Sequence, residues 1–512
     1  LKQLEHVIGT CLDRGITIVT NAGGLNPSGL ATAIGDMAHR LGLSPGIAYV
    51  DGDDVVEDLQ AWIADGLPLA HLDTGKTFAE LGKQAVTANA YLGGWGIREA
   101  LVHGADIVVT GRVTDAALVV GPAAAAFGWR LDDWDALAGA VVAGHVLECG
   151  AQATGGNFSF FTELEDHRLP GLPVAEVHPD GSSVISKQPG TGGAVTVDTV
   201  TAQLVYEIAG GRYPNPDVVA RFDTIELSQE GPDRVRITGV RGEPAPDHVK
   251  VAINYLGGYR NEMTMVLTGL DIEEKATAAI RALHALWGDI AFDELETDLL
   301  RTDRPVPRRN EEACALLRVT VKDQDERRAG RAFSDAFVQA ALSSYPGFFL
   351  TTPPQPAQAY GVYWPTVVPA DRVTHRVHLP DGSVITAPRP LTRPLDTAAP
   401  PTETAPPPPP SAVETRAVPI GRVFGTRSGD KGGNANLGVW ARTDEQYAWL
   451  YHNLTVDRIV ELMPDLAGYR IVRYELPNIR AVNFVVIGLL GEGVAASTRM
   501  DRQAKGLGEY LG

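Results

Sequence analysis

"GITIVTNAGGLNPSGLATAIGDMAHRLG", residues 15–42, decides the class of the fold. An apolar, β-branched run ends in a loop of Asn, Gly and Pro, and a stretch with apolar residues at helical spacing follows. "GIAYVDGDDVVEDLQAWIADG" (46–66) and "GADIVVTGRVTDAALVVGPAAAAFGW" (104–129) repeat that order. Strand, loop and helix in succession predict an α/β fold whose main domain holds a parallel sheet covered on both faces. Ligands bind such sheets at the carboxyl ends of the strands. The loops that lie there are residues 21–29, 51–54 and 110–115.

From about residue 174 the character changes. "VAEVHPDGSSVISKQPG", "DRVRITGVRGEP" and "RVHLPDGSVIT" are short alternating strands with turn residues between them, and "DIEEKATAAIRALHALWGDI" and "GRAFSDAFVQAALSSY" have helical periodicity. They predict a second α+β lobe. Eight prolines fall between residues 394 and 410, where the backbone should be extended and hydrated. The expected plan is a main body over 1–390 (parallel-sheet part about 1–170, α+β lobe 171–390), a linker over 391–415 and a tail domain over 416–512. A length of 512 residues suits two or three domains.

Composition narrows the function. With 44% hydrophobic and 21% charged residues the chain reads as globular, and no apolar run reaches the roughly 20 residues that span a bilayer. Three scattered cysteines give neither a disulfide framework nor a zinc site, which points to a reducing, cytoplasmic setting. A net charge of −19 argues against nucleic acid as a partner. The tail from Arg416 has 12 basic against 10 acidic residues, a net +2, leaving −21 for the rest. That asymmetry suits docking of the tail on the main body or an anionic ligand held by the tail, and it also fits ordinary surface charge.

Several constellations carry chemistry. In "NAGGLNPSG", Asn21, Gly23 and Gly24 follow a strand, at the place of a dinucleotide loop but without its spacing, and Asp51 ends the next strand where a ribose-binding acid could sit. The alternative is a set of tight turns required by packing. "VVTGRVTDAALVVGP" sets Arg112 and Asp115 at a strand's carboxyl end. Asp115 can cap the helix after it, whereas a guanidinium at that rim suits a carboxylate or phosphate. In "AGHVLECGAQATGGNF", His145 and Glu148 share a helix face. That spacing serves an acid/base pair, two metal ligands, or plain helix-end capping, and no third ligand is near. Cys149 lacks a partner that would make it a nucleophile, and Asn157 lies in the glycine-rich turn beyond. "KQPGTGGAVTVDTV" places Gly192 and Gly193 ahead of an apolar run, where a helix start would form an anion pocket. "FGTRSGDKGGNANLGVWAR" (424–442) is no Walker loop, since Asp430 precedes Lys431 and Gly432 stands at the hydroxyl position. It reads as a long, flexible hairpin loop carrying Arg427, Asp430, Lys431, Asn434 and Asn436, either a lid over the main-body site or a self-pairing cap.

"TNAGGLNPSGLA", "VVTGRVTDAALVVGP", "GAQATGGNF", "KQPGTGGAVTVDTVTAQLVYEI", "GVYWP" and "GTRSGDKGGNANLGV" closely resemble acyclic terpene utilisation AtuA family proteins, over nearly the whole chain. The resemblance implies a large α/β domain and a ferredoxin-like α+β tail. It also implies an additional amino-terminal strand–loop–helix segment, whose residues have no counterpart in this sequence. It points to breakdown of acyclic terpenoids by way of branched acyl-CoA thioesters, and it assigns no catalytic residues.

The expected function is an enzyme of the lyase or isomerase class. It would hydrate, dehydrate or isomerise an anionic small molecule, an acyl-CoA or a carboxylic acid. Arg112 would hold the anion, Asp115 or Glu148 would move a proton with His145, Asp430 and Lys431 as further catalytic candidates, and Asn21 and Asn157 would polarise a carbonyl. No metal or other cofactor is assigned, and a homo-oligomer is expected. The rival readings are a non-catalytic acyl-CoA-binding or assembly subunit and a nucleotide-dependent ligase.

Overall fold

The computed structural model describes every residue except His167, 395–404 and 411–415. The three strands expected from the repeated pattern form at Ile18–Thr20, Ile47–Asp51 and Ile107–Thr110. They are parallel, with Ile107–Thr110 in the middle: Val19 sits opposite Val108 and Tyr49 opposite Val109. The sheet as a whole is mixed, which corrects the expectation of a parallel one. Its edge beyond Ile47–Asp51 is paired antiparallel by Arg376–His378, which pairs in turn with Val384–Thr386. That hairpin was expected in the α+β lobe. Pairing it here covers an otherwise open edge. It also engages Asp51, whose carboxylate accepts from Arg376 Nε (2.7 Å) and His378 Nε2 (3.0 Å), so this acid holds a sheet edge with a partner on each oxygen.

The helix Pro27–Arg40 begins where the sequence sets it. Asn26 Oδ1 accepts from Gly29 N at 2.8 Å and Pro27 occupies the first turn. Its apolar stripe of Ala31, Ile34, Met37 and Ala38 is buried against Ile107 and Val109, where each large side chain contributes about 1.5–3 kcal/mol. Helix Trp134–Leu147 is buried along almost its whole length, as its unbroken apolar composition requires. An antiparallel sheet follows, in the order Pro173–Val177, Ser183–Lys187, Arg234–Thr238, Glu226–Gly231.

The chain forms two compact units. One comprises Leu1–Ile253, Tyr363–Val494 and Asp501–Gly512, and so contains nearly all of the tail. The other comprises Asn254–Val362 and Ala495–Met500. In the latter, strand Cys314–Asp323 lies between Glu294–Leu300 and residues 259–268 of the long strand His248–Thr268. Helices Ile272–Trp287 and Phe333–Ala340 cover it with Leu283, Trp287, Phe333 and Phe337 packed on Met263, Met265 and Val319.

The tail is a four-stranded antiparallel sheet, Gly425–Lys431, Asn434–Trp440, Ala481–Ile487 and Arg470–Leu476 in spatial order. Helices Asp444–Asn453 and Val456–Leu462 pack on it around Leu437, Leu450, Ile459 and Phe484. The stretch expected to be a flexible loop is therefore the sheet's first hairpin, with only Gly432 and Gly433 turning. Gly432 is in the left-handed region (φ 67°), as a tight hairpin turn requires. Among the described residues no helix is long and apolar enough to cross a membrane.

Candidate functional site

The three loops singled out at the strand ends meet. Asn21 Nδ2 lies 3.4 Å from Asp115 Oδ1, and Arg112 N donates to Asp53 Oδ2 at 2.7 Å. Asp53 is itself buried and also takes Asn89 Nδ2, so a carboxylate beneath the loop fixes the backbone from which Arg112 projects. The Arg112 guanidinium lies 4.2 Å from the Tyr91 ring centroid and 3.4 Å from Asp115. Lys250 sits over Tyr91 at 5.1 Å and over Tyr363 at 5.5 Å. Gly23 packs against the Thr110 carbonyl and Gly24 turns in the left-handed region, so both shape the loop.

His145 and Glu148 close the next side. The buried His145 ring is wedged against Tyr213 and Phe222, with Nε2 3.0 Å from the Gln203 carbonyl. Only an N–H can face a carbonyl, which leaves Nδ1 as a lone pair pointing at Glu148 Oε1, 3.4 Å away. A lone pair there favours the protonated carboxyl. Burial, with the Asp115 and Glu207 charges adding to it, pushes Glu148 up to about 8. Burial holds His145 down to about 4. Cys149 next door is pushed up to about 11, mainly by burial, so it is a thiol at neutral pH and no nucleophile.

The tail completes the cluster from the other side. Lys431 Nζ donates to the Glu207 carbonyl at 2.7 Å, and burial together with the neighbouring Lys250 charge brings it down to about 8. Asp430 and Lys431 do not pair with each other, because successive strand residues face opposite ways. Asp430 instead lies 3.8 Å from Lys505, which also reaches the Tyr206 hydroxyl and stands 4.0 Å from Glu207. These groups are deep yet reachable. Burial dominates the shifts of Glu148 and Lys431, while the side chains of Arg112, Asp115, Glu207 and Lys505 keep 35%, 42%, 37% and 44% of their surface. Buried charged groups bordered by partly exposed ones form a cluster that opens to solvent at Arg112, Asp115, Glu207 and Lys505, called the cleft below.

The other sequence candidates lie beside this cleft and serve assembly. Arg427 is buried and donates to the Asn157 carbonyl (2.8 Å), leaving the Asn157 side chain exposed on a left-handed turn. Asn434 Nδ2 donates to Asp73 at 2.8 Å. Asn436 accepts from Glu207 N (2.7 Å) and donates to Val205 O (3.1 Å), which pairs orphan groups just past the end of helix Val197–Leu204. At the other end of that helix the expected anion pocket is occupied by the protein itself. Thr196 caps Thr199 N and Gln229 takes Val197 N. Gly192 and Gly193 pack against the carbonyls of Arg168 and Thr154.

Tyr91, Lys250, Glu207 and Lys505 escaped the sequence reading. Glu207 had a signal, a charge ending the apolar run "LVYEI", and Lys250 had none, since an alternating strand reads a lone lysine as solvent-facing. A separate cavity of about 420 Å³, lined by Asp247, His248, His375, Arg389 and several prolines, shares no residue with the cleft.

The model of the AtuA acyclic terpene utilisation family matches residues 1–379, and that of the AtuA ferredoxin-like domain matches 418–512. No curated protein and no solved structure matches the chain. The charged cleft is built by both matched regions, and the chain belongs to the acyclic terpene utilisation AtuA family, with that family's ferredoxin-like domain at 418–512.

Proposed function

We propose that the chain is an enzyme that moves a proton on an anionic small molecule of acyclic terpenoid breakdown, a branched acyl-CoA or free carboxylate, in a hydration/dehydration or an isomerisation. One observation carries this reading: Arg112 and Lys431, from opposite sides, face one cluster that holds the carboxyls of Asp115 and Glu148, with burial raising the proton affinity of Glu148 and lowering that of Lys431. Dehydration and isomerisation remove a proton beside a carbonyl, hydration delivers one there, and each passes through negative charge on the carbonyl oxygen. A carboxyl group with raised proton affinity is a competent base when ionised and a competent acid when protonated, and near neutrality it exchanges between the two. Lys431 answers the charge on the oxygen, Arg112 and Lys250 hold the anionic group, and Asp115 is a second carboxyl within reach of both.

Incubation with enoyl-CoA and hydroxyacyl-CoA thioesters and with the free branched acids, with and without ATP, tests the reading. Turnover without ATP that is lost in Glu148→Gln supports it. A strict need for ATP would favour a ligase, and tight binding without turnover a carrier or assembly subunit.

A further inference from the structure

Lys431 is set up for more than electrostatic work. Its Nζ is aimed by the Glu207 carbonyl, and Glu207 holds a left-handed backbone (φ 55°) with its own N–H fixed by Asn436. An L-residue keeps that conformation only when its surroundings impose it. Lys431 Nζ lies 5.9 Å from the centre of the Tyr213 ring, which packs on His145, whose Nδ1 is 3.4 Å from Glu148. Lys250 sits 5.5 Å over the Tyr363 ring, against which Gly432, the next residue after Lys431, is packed. An amine next to another cation in a partly dry cleft is the arrangement that frees a lysine lone pair.

We infer that Lys431 is a nucleophile that condenses with the ketone carbon of a keto-carboxylate, the carboxylate being held by Arg112. The amine nitrogen adds to the carbonyl carbon, and the C=O π pair moves to oxygen. That oxygen collects one proton from the amine and one from Glu148 and leaves as water while the C=N bond forms. The products are an iminium on Lys431, water and the Glu148 carboxylate, so atoms and charge balance with no oxidant or further reactant. The carboxylate then stands beside the iminium, placed to take the proton on the adjacent carbon. The inference rests on the proposed reading for the site and its acid, and replaces the electrostatic part of Lys431 with a covalent one.

Trapping tests it. The protein is incubated with levulinate, a simple keto-carboxylate, and sodium cyanoborohydride, then digested and mapped by mass spectrometry. The expected result is a reduced adduct on Lys431 at least tenfold above that on Lys505, which is more exposed and lies in the same cleft. Adducts distributed by exposure alone would overturn the inference. Levulinate binding is followed separately by the shift in melting temperature, with Arg112→Ala as the control. Binding that depends on Arg112 without trapping sinks the imine and leaves the proposed proton transfer standing, and absence of binding overturns the keto-carboxylate inference alone, since the proton transfer is tested separately with the thioesters and branched acids. Lys431→Arg keeps the charge and lacks the nucleophile, so a folded Lys431→Arg protein with undiminished turnover would also overturn the covalent role.

Discussion

At the scale of single residues, His145 and Glu148 oppose each other in their dependence on pH. Glu148 has its proton affinity raised from 4.5 to about 8, so its contribution to stability is complete below about pH 4.5 and disappears as pH rises toward 8. His145 is lowered from 6.5 to about 4, so its contribution is present above 6.5 and disappears as pH falls toward 4. Glu148→Gln removes only the first. The melting temperature of the unaltered protein should therefore fall between pH 6 and pH 9 more steeply than that of Glu148→Gln, and parallel curves would show that Glu148 titrates normally. For Arg112→Ala, affinity for an anionic ligand should drop by about 1.5–3 kcal/mol with little change in melting, as for a lost charge-assisted hydrogen bond. A large loss of melting temperature with intact affinity would make Arg112 a structural residue. Arg112 and Glu148 were legible because each is a charge placed at the end of an apolar element. Lys505 was not, because nothing near it in sequence marks the cleft it reaches.

Among the elements, the first hairpin of the tail departs most from its sequence. Glycines and asparagines ordinarily weaken strands, and "GTRSGDKGGNANLGV" therefore read as a loop. Several have a partner outside their own sheet. The amides of Asn436 and Asn483 bond the backbone of 205–209, and Gly429 admits the ring of Tyr206, whose Cε2 would lie 2.4 Å from an added Cβ. Gly429→Ala should displace Tyr206 and cost about 1–3 kcal/mol by overpacking, measured by urea unfolding. Asn436→Leu should cost about 1–3 kcal/mol for each buried polar group it leaves unpaired. Neutral behaviour of both would show that the hairpin does not bear on the helix end. Short-range pattern identified the helices and the three parallel strands because their burial follows from their own periodicity. The hairpin's logic lies in residues more than two hundred positions away.

For the whole molecule, the proline-rich segment is a covalent tether between parts already joined by Arg442 to Glu163 and Asp198, by Asn478 to Phe222 and Ile225, and by the asparagines above. Pro406–Pro410 carry no regular structure, and residues 402–404 fall outside the described part. Limited proteolysis should cut near 402–404 and leave two fragments that co-elute on gel filtration, while release of a free tail would show the joint to be weak. Deleting everything after Pro410 should abolish turnover, because Lys431 and Lys505 go with it. The site's oldest and youngest members on the ribosome are Asn21 and Lys505. At roughly 5–20 residues per second, on the order of a minute separates their emergence. A product that ends before residue 431 carries Glu148 and Glu207 with Arg112 and Lys250 as the cations of the cluster and without Lys431 and Lys505. Under the proposed function the two lysines arrive last, so the cluster reaches its full charge complement only when nearly the whole chain has been made.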